Sequence, residues 1–273
     1  MHTVPKNHEN SAPAMHTLAL RGHTLEVVRR PSAHPRPEAP ALVFLHEGLG
    51  SIAMWRDFPQ RVADATGCEA IVYSRHGYGR SSPLTAPRTP DYMHVEALQI
   101  LPAVLDALQL RAPILVGHSD GGSIALIHAG GTPAPVRGVV VMAPHLYVED
   151  VALEGIRRTV DAYRTTDLRA RLARFHADVD GVFAGWSDIW LHPDFRDWNI
   201  EAFVSAIPCP VMAIQGEDDE YATMDQIDRI ARLAPDVDLV KLADCRHSPH
   251  KDQADAVVEA IAGFVARLLD DPH

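Results

Sequence analysis

The feature that most constrains this chain is a serine between two glycines at a predicted strand-to-helix junction, Gly117-His118-Ser119-Asp120-Gly121. The apolar run APILVG (112–117) before it reads as a buried strand, and the small-residue stretch from Asp120 to Ala129 after it reads as a helix. A G-x-S-x-G pattern taken alone is weak. On a strand–turn–helix it is specific, because the sharp turn strains the serine and exposes its Oγ, while the flanking glycines let strand and helix approach. The helix start behind the serine offers backbone N–H groups and the positive end of the helix dipole, both suited to a developing oxyanion.

The remaining segments alternate in the same way. HTLALR (16–21) and TLEVVR (24–29) form a predicted hairpin around Gly22-His23. ALVFLH (41–46), CEAIVYS (68–74), VRGVVVMA (136–143), PVMAIQG (210–216) and DLVKLA (238–243) read as further strands. Helical periodicity covers 54–65, 92–109 with a kink expected at Pro102, 223–233 and 252–269, whereas the Gly- and Pro-rich 75–91 reads as a loop. The alternation predicts an α/β fold, a mostly parallel sheet flanked by helices. Residues 145–207 break it with helical segments carrying Phe175, Phe183, Trp186, Trp190, Phe195, Trp198 and Phe203. This block is read as a helical cap insertion over the end of the sheet where such folds place their sites. The expected organisation is a flexible tail at 1–14, a first part of the core at 15–144, the cap at 145–207 and a second part of the core at 208–273.

Charge and cysteines narrow the function classes. With 25 Lys+Arg against 36 Asp+Glu the net charge is −11, which argues against a nucleic-acid or anionic-membrane partner. Cys68, Cys209 and Cys245 are far apart, with no CxxC pair or disulfide framework. The polar start of the chain shows no apolar signal region, and no run is long enough to span a membrane. The expectation is a soluble, cytoplasmic protein, and a homodimer is compatible with this reading. The 16 histidines show no metal-ligand spacing, and His247-x-x-His250 is not a zinc signature. No metal and no cofactor is expected; apart from the site, the histidines are read as solvated or satisfied.

A serine hydroxyl needs a base, and the base needs an orienting acid. His247 follows the last predicted strand in Asp244-Cys245-Arg246-His247-Ser248-Pro249, and Asp219 follows the preceding one in Gln215-Gly216-Glu217-Asp218-Asp219. Both sit at carboxyl ends of strands, where loops converge. Asp218, and less strongly Glu149 or Asp150, compete for the acid role, and His250 competes for the base.

Five segments, LHEGLGS (45–51), SRHGYGRSS (74–82), GHSDGG (117–122), QGEDDEY (215–221) and CRHSPH (245–250), together resemble the α/β-hydrolase fold superfamily, within which the chain is similar to small carboxylesterases and valacyclovir-hydrolase-like serine hydrolases. The resemblance implies a Ser119–His247–Asp219 triad: the family's Gly-x-x-Asp spacing from Gly216 selects Asp219, and His-Ser-Pro selects His247. It implies an oxyanion hole made by the N–H of Asp120 and one from the 46–50 loop, where Gly48 is the ungapped choice and Leu49 the fallback. Glu47 stands where the family has glycine. Glu47 and Asp120 flank the donors, and a cation-binding role for the pair, toward an amino group of a substrate, competes with simple backbone capping. Arg75 is read as a structural tie within its loop. Glu47, Leu49, His118, Trp186 and Trp190 are the candidate substrate-contacting residues; the tryptophans, four apart, share a helix face.

The function expected is hydrolysis of a small carboxylic ester or lactone through an acyl-enzyme. Alternatives on the same triad are C–C bond or thioester hydrolysis and cofactor-free perhydrolysis, and a small-molecule receptor is a more distant reading.

Overall fold

The structure, a computed structural model, describes residues 15–270. The reading of 1–14 as a tail lies outside them. Eight strands form one sheet: β1 (Met15–Leu20), β2 (His23–Arg30), β3 (Leu42–Leu45), β4 (Ala70–Tyr73), β5 (Ile114–His118), β6 (Gly138–Met142), β7 (Val211–Gly216) and β8 (Val237–Leu242). Their order is β1-β2-β4-β3-β5-β6-β7-β8. β1 and β2 pair antiparallel, as do β2 and β4, and the other pairs are parallel.

The central strands are buried on both faces, which is why they read as continuous apolar runs. Side-chain alternation divides them between two cores. Phe44, Val72, Val116, Val140 and Ile214 enter one, with Phe58, Val62, Val257, Ile261 and Phe264. Those last five belong to α1 (Phe58–Thr66) and the long C-terminal helix (Ala254–Asp270), which pack against each other. Val43, Ile71, Leu115, Val141 and Ala213 enter the other core. It is covered by α2 (Tyr92–Val95), a π-helical turn (Glu96–Ile100), α3 (Leu101–Ala107) and α4 (Asp120–Gly131). Helix α4 has no polar stripe, as a helix enclosed by sheet and neighbours requires.

Between β6 and β7 run α5 (Asp150–Thr165), α6 (Leu168–Leu172), α7 (Val179–Trp190), a 3₁₀ turn (Pro193–Phe195) and α8 (Glu201–Val204). Helices α9 (Asp225–Leu233), α10 (Pro249–Asp252) and α11 (Ala254–Asp270) are the last helices among the described residues. The loops after β3, β5, β6, β7 and β8 all leave the carboxyl edge of the parallel sheet. That edge gathers His46, Ser119, His145, Asp219 and His247.

Three expected helices differ in detail. The one expected over 54–65 divides into a 3₁₀ turn (Ile52–Trp55) and α1, whose start is set by Pro59 in its first turn. The 92–109 segment is broken by the π-helical turn immediately before the turn that holds Pro102. Proline has no N–H for the carbonyl four residues back, and the wider turn absorbs the mismatch at the expected kink. The 252–269 helix starts instead at Ala254, because Gln253 leaves helical geometry and its amide donates to the Ala243 carbonyl.

Candidate active site

Ser119 follows β5 directly with φ 51° and ψ −120°, a left-handed backbone that a non-glycine residue holds only under constraint. The constraint comes from both sides. The Ser119 N–H donates to the Met142 carbonyl (2.9 Å), and the Ser123 N–H donates to the Ser119 carbonyl (3.0 Å). A Cβ on Gly121 would lie 2.0 Å from the Leu45 carbonyl oxygen, so only glycine lets α4 begin this close to β3.

Three distant segments meet at the serine. His247 Nε2 lies 3.0 Å from Ser119 Oγ, and His247 Nδ1 lies 2.8 and 3.0 Å from the two Asp219 oxygens. Asp219 also accepts the Tyr221 N–H (2.8 Å). Since a carboxylate only accepts, the proton sits on Nδ1, and Nε2 faces the serine hydroxyl as acceptor. Burial pushes the Asp219 carboxyl up, but the His247 ring and the Tyr221 N–H outweigh it and hold it below its ordinary value. Burial likewise works against charge on His247, and Asp219 outweighs it, so the imidazole lies above its ordinary value.

The competing candidates lie elsewhere. Asp218 is exposed. Glu149 is spent on Thr223 and Gln226, and Asp150 pairs with Arg196. His250 is buried between Trp55, Phe58 and His118, with ring centroids 4.7, 5.5 and 4.7 Å away.

Ser119 and His247 open into a cavity of about 200 Å³ lined by Glu47, Gly48, Leu49, Met54, His118, His145, Ala152, Ile156, Leu172, Trp186, Trp190, Tyr221 and Ser248. The candidates Glu47, Gly48, Leu49, His118, Trp186 and Trp190 are thus brought together. Trp186 lies so close over Gly48 that a Cβ there would meet the indole at 2.2 Å. Among the described residues no hydrogen bond uses the N–H of Gly48 or Asp120.

The pairing of Glu47 with Asp120 as a cation site is corrected by the geometry. The Asp120 carboxylate faces away from the cavity: it accepts from Tyr92 Oη (2.8 Å) and Trp190 Nε1 (3.3 Å), with the Arg75 guanidinium 3.6 Å away. Both ionic side chains are buried. Nor does Asp120 cap its own helix, since no side-chain bond is made at that terminus. Glu47 does line the cavity, between Lys251 (3.4 Å) and His118 (3.6 Å). Burial raises its carboxyl, but Lys251 and His118 outweigh this and hold it well below the ordinary range.

Sequence reasoning missed His145 and Tyr221 as lining residues; it left the histidines as solvated or satisfied, and of the buried ones, His46, His118, His128, His145, His176 and His250, His46 and His176 are bonded at both ring nitrogens. Burial, with help from His247, pushes His145 down to about 4, so a neutral ring flanks His247. Its place just past β6, at the carboxyl edge beside the elbow strand, was the available signal.

A strained serine after the central strand β5, facing an aspartate after β7 and a histidine after β8, defines the class of α/β proteins built around a serine elbow. The Alpha/beta hydrolase family profile matches residues 42–260, and the chain belongs to that family. It is 22% identical over 253 residues to the 2-hydroxy-6-oxo-6-phenylhexa-2,4-dienoate hydrolase of Burkholderia cepacia, covering 83% of this chain and 87% of that protein. It is 22% identical over 259 residues to the sn-1-specific diacylglycerol lipase ABHD11 of Danio rerio, covering 82% of this chain and 78% of that one. The crystal structure of a membrane phospholipase A, described as a bacterial virulence factor, superposes with a TM-score of 0.76 at 16% identity, covering 95% of this chain and 87% of that one. No helix among the described residues is long and apolar enough to cross a membrane.

Proposed function

We propose that the chain is a serine hydrolase that cleaves a small carboxylic ester or lactone through an acyl-enzyme. The observation that carries this reading is the unbroken line Asp219–His247–Ser119, at 2.8 and 3.0 Å, ending in a mainly apolar cavity. His247 Nε2 takes the Ser119 proton as Oγ bonds to the carbonyl carbon, and the carbonyl π pair moves onto oxygen. The N–H groups of Asp120 and Gly48 receive that oxyanion. Collapse expels the alkoxide, which takes the proton from His247; in a lactone it stays tethered to the acyl group. Water, deprotonated by His247, then bonds to the acyl carbon, and collapse breaks the bond to Ser119 Oγ, which takes its proton back from His247 as the acid leaves. The segment 145–207 acts as a cap, with Trp186 and Trp190 excluding bulk water.

A second reading, C–C bond hydrolysis, is favoured by the dienoate hydrolases among the relatives. A dienoate carries a carboxylate. This cavity is lined by the Glu47 carboxylate and by no Arg or Lys among the described residues, which favours a neutral ester or lactone.

The test is initial-rate hydrolysis by wild type and Ser119→Ala over short p-nitrophenyl esters, a lactone, an acyl thioester and a dienoate. Ester or lactone turnover that disappears in the variant is expected. Retained turnover in Ser119→Ala, or a preference for the dienoate, would overturn the reading.

A further inference from the structure

Arg75 is fully buried, with Nε and Nη1 making no hydrogen bond, a costly state for an ion that must be fixed for a reason. Its charge is balanced by Asp120 at 3.6 Å, and its guanidinium carbon lies 4.7 Å from the centre of the Tyr78 ring. The one nitrogen that does donate, Nη2, reaches two main-chain carbonyls of the loop after β3, His46 (3.2 Å) and Glu47 (3.1 Å).

The Glu47 carbonyl is held from three sides. Besides Arg75, it accepts from His46 Nδ1 (2.7 Å) and from the Gly50 N–H (3.0 Å). The His46 tautomer is set by Arg75 as well, because the Arg75 main-chain N–H donates to His46 Nε2 (3.0 Å), leaving the ring proton on Nδ1. The same peptide unit that presents the Glu47 carbonyl carries the Gly48 N–H. The described residues contain no cis peptide, so that N–H points opposite to the carbonyl. Gly48 lines the cavity beside Ser119, and its N–H has no partner.

We propose that Arg75 is a positioning residue for the oxyanion site: by clamping the Glu47 carbonyl it aims the Gly48 N–H into the cavity. This rests on the serine-hydrolase reading. The guanidinium acts through the peptide and touches no substrate. Three donors on one carbonyl, one of them ionic, also polarise the amide and strengthen its N–H as a donor. The clamp gains most when negative charge develops on the substrate oxygen, so its loss falls on kcat rather than on KM.

The test uses Arg75→Met and Arg75→Lys beside wild type and Ser119→Ala. With the ester the wild type turns over best, Arg75→Met should lose about 10- to 100-fold in kcat with KM within about twofold, somewhat less than deleting an oxyanion donor outright. Arg75→Lys, which keeps the charge but reaches one carbonyl at most, should lose less. Inhibition by a trifluoromethyl ketone that forms a tetrahedral adduct on Ser119 should weaken in parallel with kcat/KM. Binding of the matched secondary alcohol, which forms no oxyanion, should stay unchanged. An unchanged kcat in a folded Arg75→Met, or equal weakening of ketone and alcohol, would overturn the proposal.

Should neither variant give a native circular dichroism spectrum, the wild type decides. The amide proton of Gly48 should move downfield when the ketone adduct forms, and an unmoved Gly48 signal would overturn the proposal. Failure of the underlying reading looks different: Ser119→Ala would then retain turnover, and no ketone adduct would form.

Discussion

At the scale of single residues, the opposed influences on His247 have a kinetic consequence. In the proposed mechanism His247 is a general base, which works in its neutral form, so kcat/KM should rise with pH through the His247 titration. Asp219 holds that titration above the ordinary histidine value despite burial, so the acid limb should be centred above about 6.5. Asp219→Asn should lower the rate by about 10⁴-fold, because the imidazole loses its tautomer and its charge partner, and should move the limb of the residual activity toward lower pH. Rate–pH profiles of both proteins check this. Asp120 makes a contrasting case. Its carboxylate serves Tyr92, Trp190 and Arg75 and not the cavity. Asp120→Asn leaves the buried Arg75 without its nearest carboxylate, and the expected loss is about 3 kcal/mol of folding stability. Urea unfolding measures that loss. Matched amino-acid and neutral esters should lose kcat/KM by the same factor, in contrast to what a cation site would produce.

At the scale of elements, the elbow depends on how closely α4 approaches β3. Gly121→Ala would place a methyl 2.0 Å from the Leu45 carbonyl, and backbone cannot move aside as a flexible side chain can. The helix start must shift and carry Ser119 and the Asp120 N–H with it. The expected outcome is a loss of about 10²-fold or more in kcat, the order reached when reacting groups are misplaced by an ångström, with a lowered thermal midpoint. Gly263→Ala is the control, since a Cβ there meets nothing within 4 Å. These elements differ in how far they were legible. Strands β3 to β7 stand out because burial on both faces forces continuous apolar runs. Pro102 marked the kink in the 92–109 helix, but the five residues Glu96–Ile100 carry no signature of the π-helical turn that absorbs it. The break at Gln253 depends on a bond to Ala243, ten residues back. Ser119, Asp219 and His247 were legible as residues that strand ends would bring together, whereas the Arg75–Asp120–Tyr92–Trp190 cluster joins four elements and has no sequence period to reveal it.

At the scale of the whole molecule, the buried histidines set how the fold responds to acid. His46, His118, His128, His145, His176 and His250 are all buried, and burial first of all lowers each below its ordinary value. In the folded chain they resist protonation; in the unfolded chain they take up a proton near pH 6.5. Below that pH the unfolded state therefore binds more protons, and stability falls as pH drops. Each such histidine contributes up to about 1.4 kcal/mol per pH unit between its unfolded and folded values, and for His145 that window reaches down to about 4. His247 works in the opposite sense, because its raised value makes the folded state the better proton binder there. The part-buried His76 and His94 are lowered as well, so eight lowered histidines against one raised leave a net uptake of protons on unfolding. The urea midpoint should therefore fall steeply from pH 7 to pH 5, and calorimetric unfolding at pH 5.5 in buffers of different ionisation enthalpy should register several protons taken up. A midpoint that stays flat over that range would mean that these rings are already charged in the folded chain. The Nδ1–H tautomer of His46 would then be lost as a device for holding the Glu47 carbonyl, because a charged ring could no longer accept the Arg75 main-chain N–H.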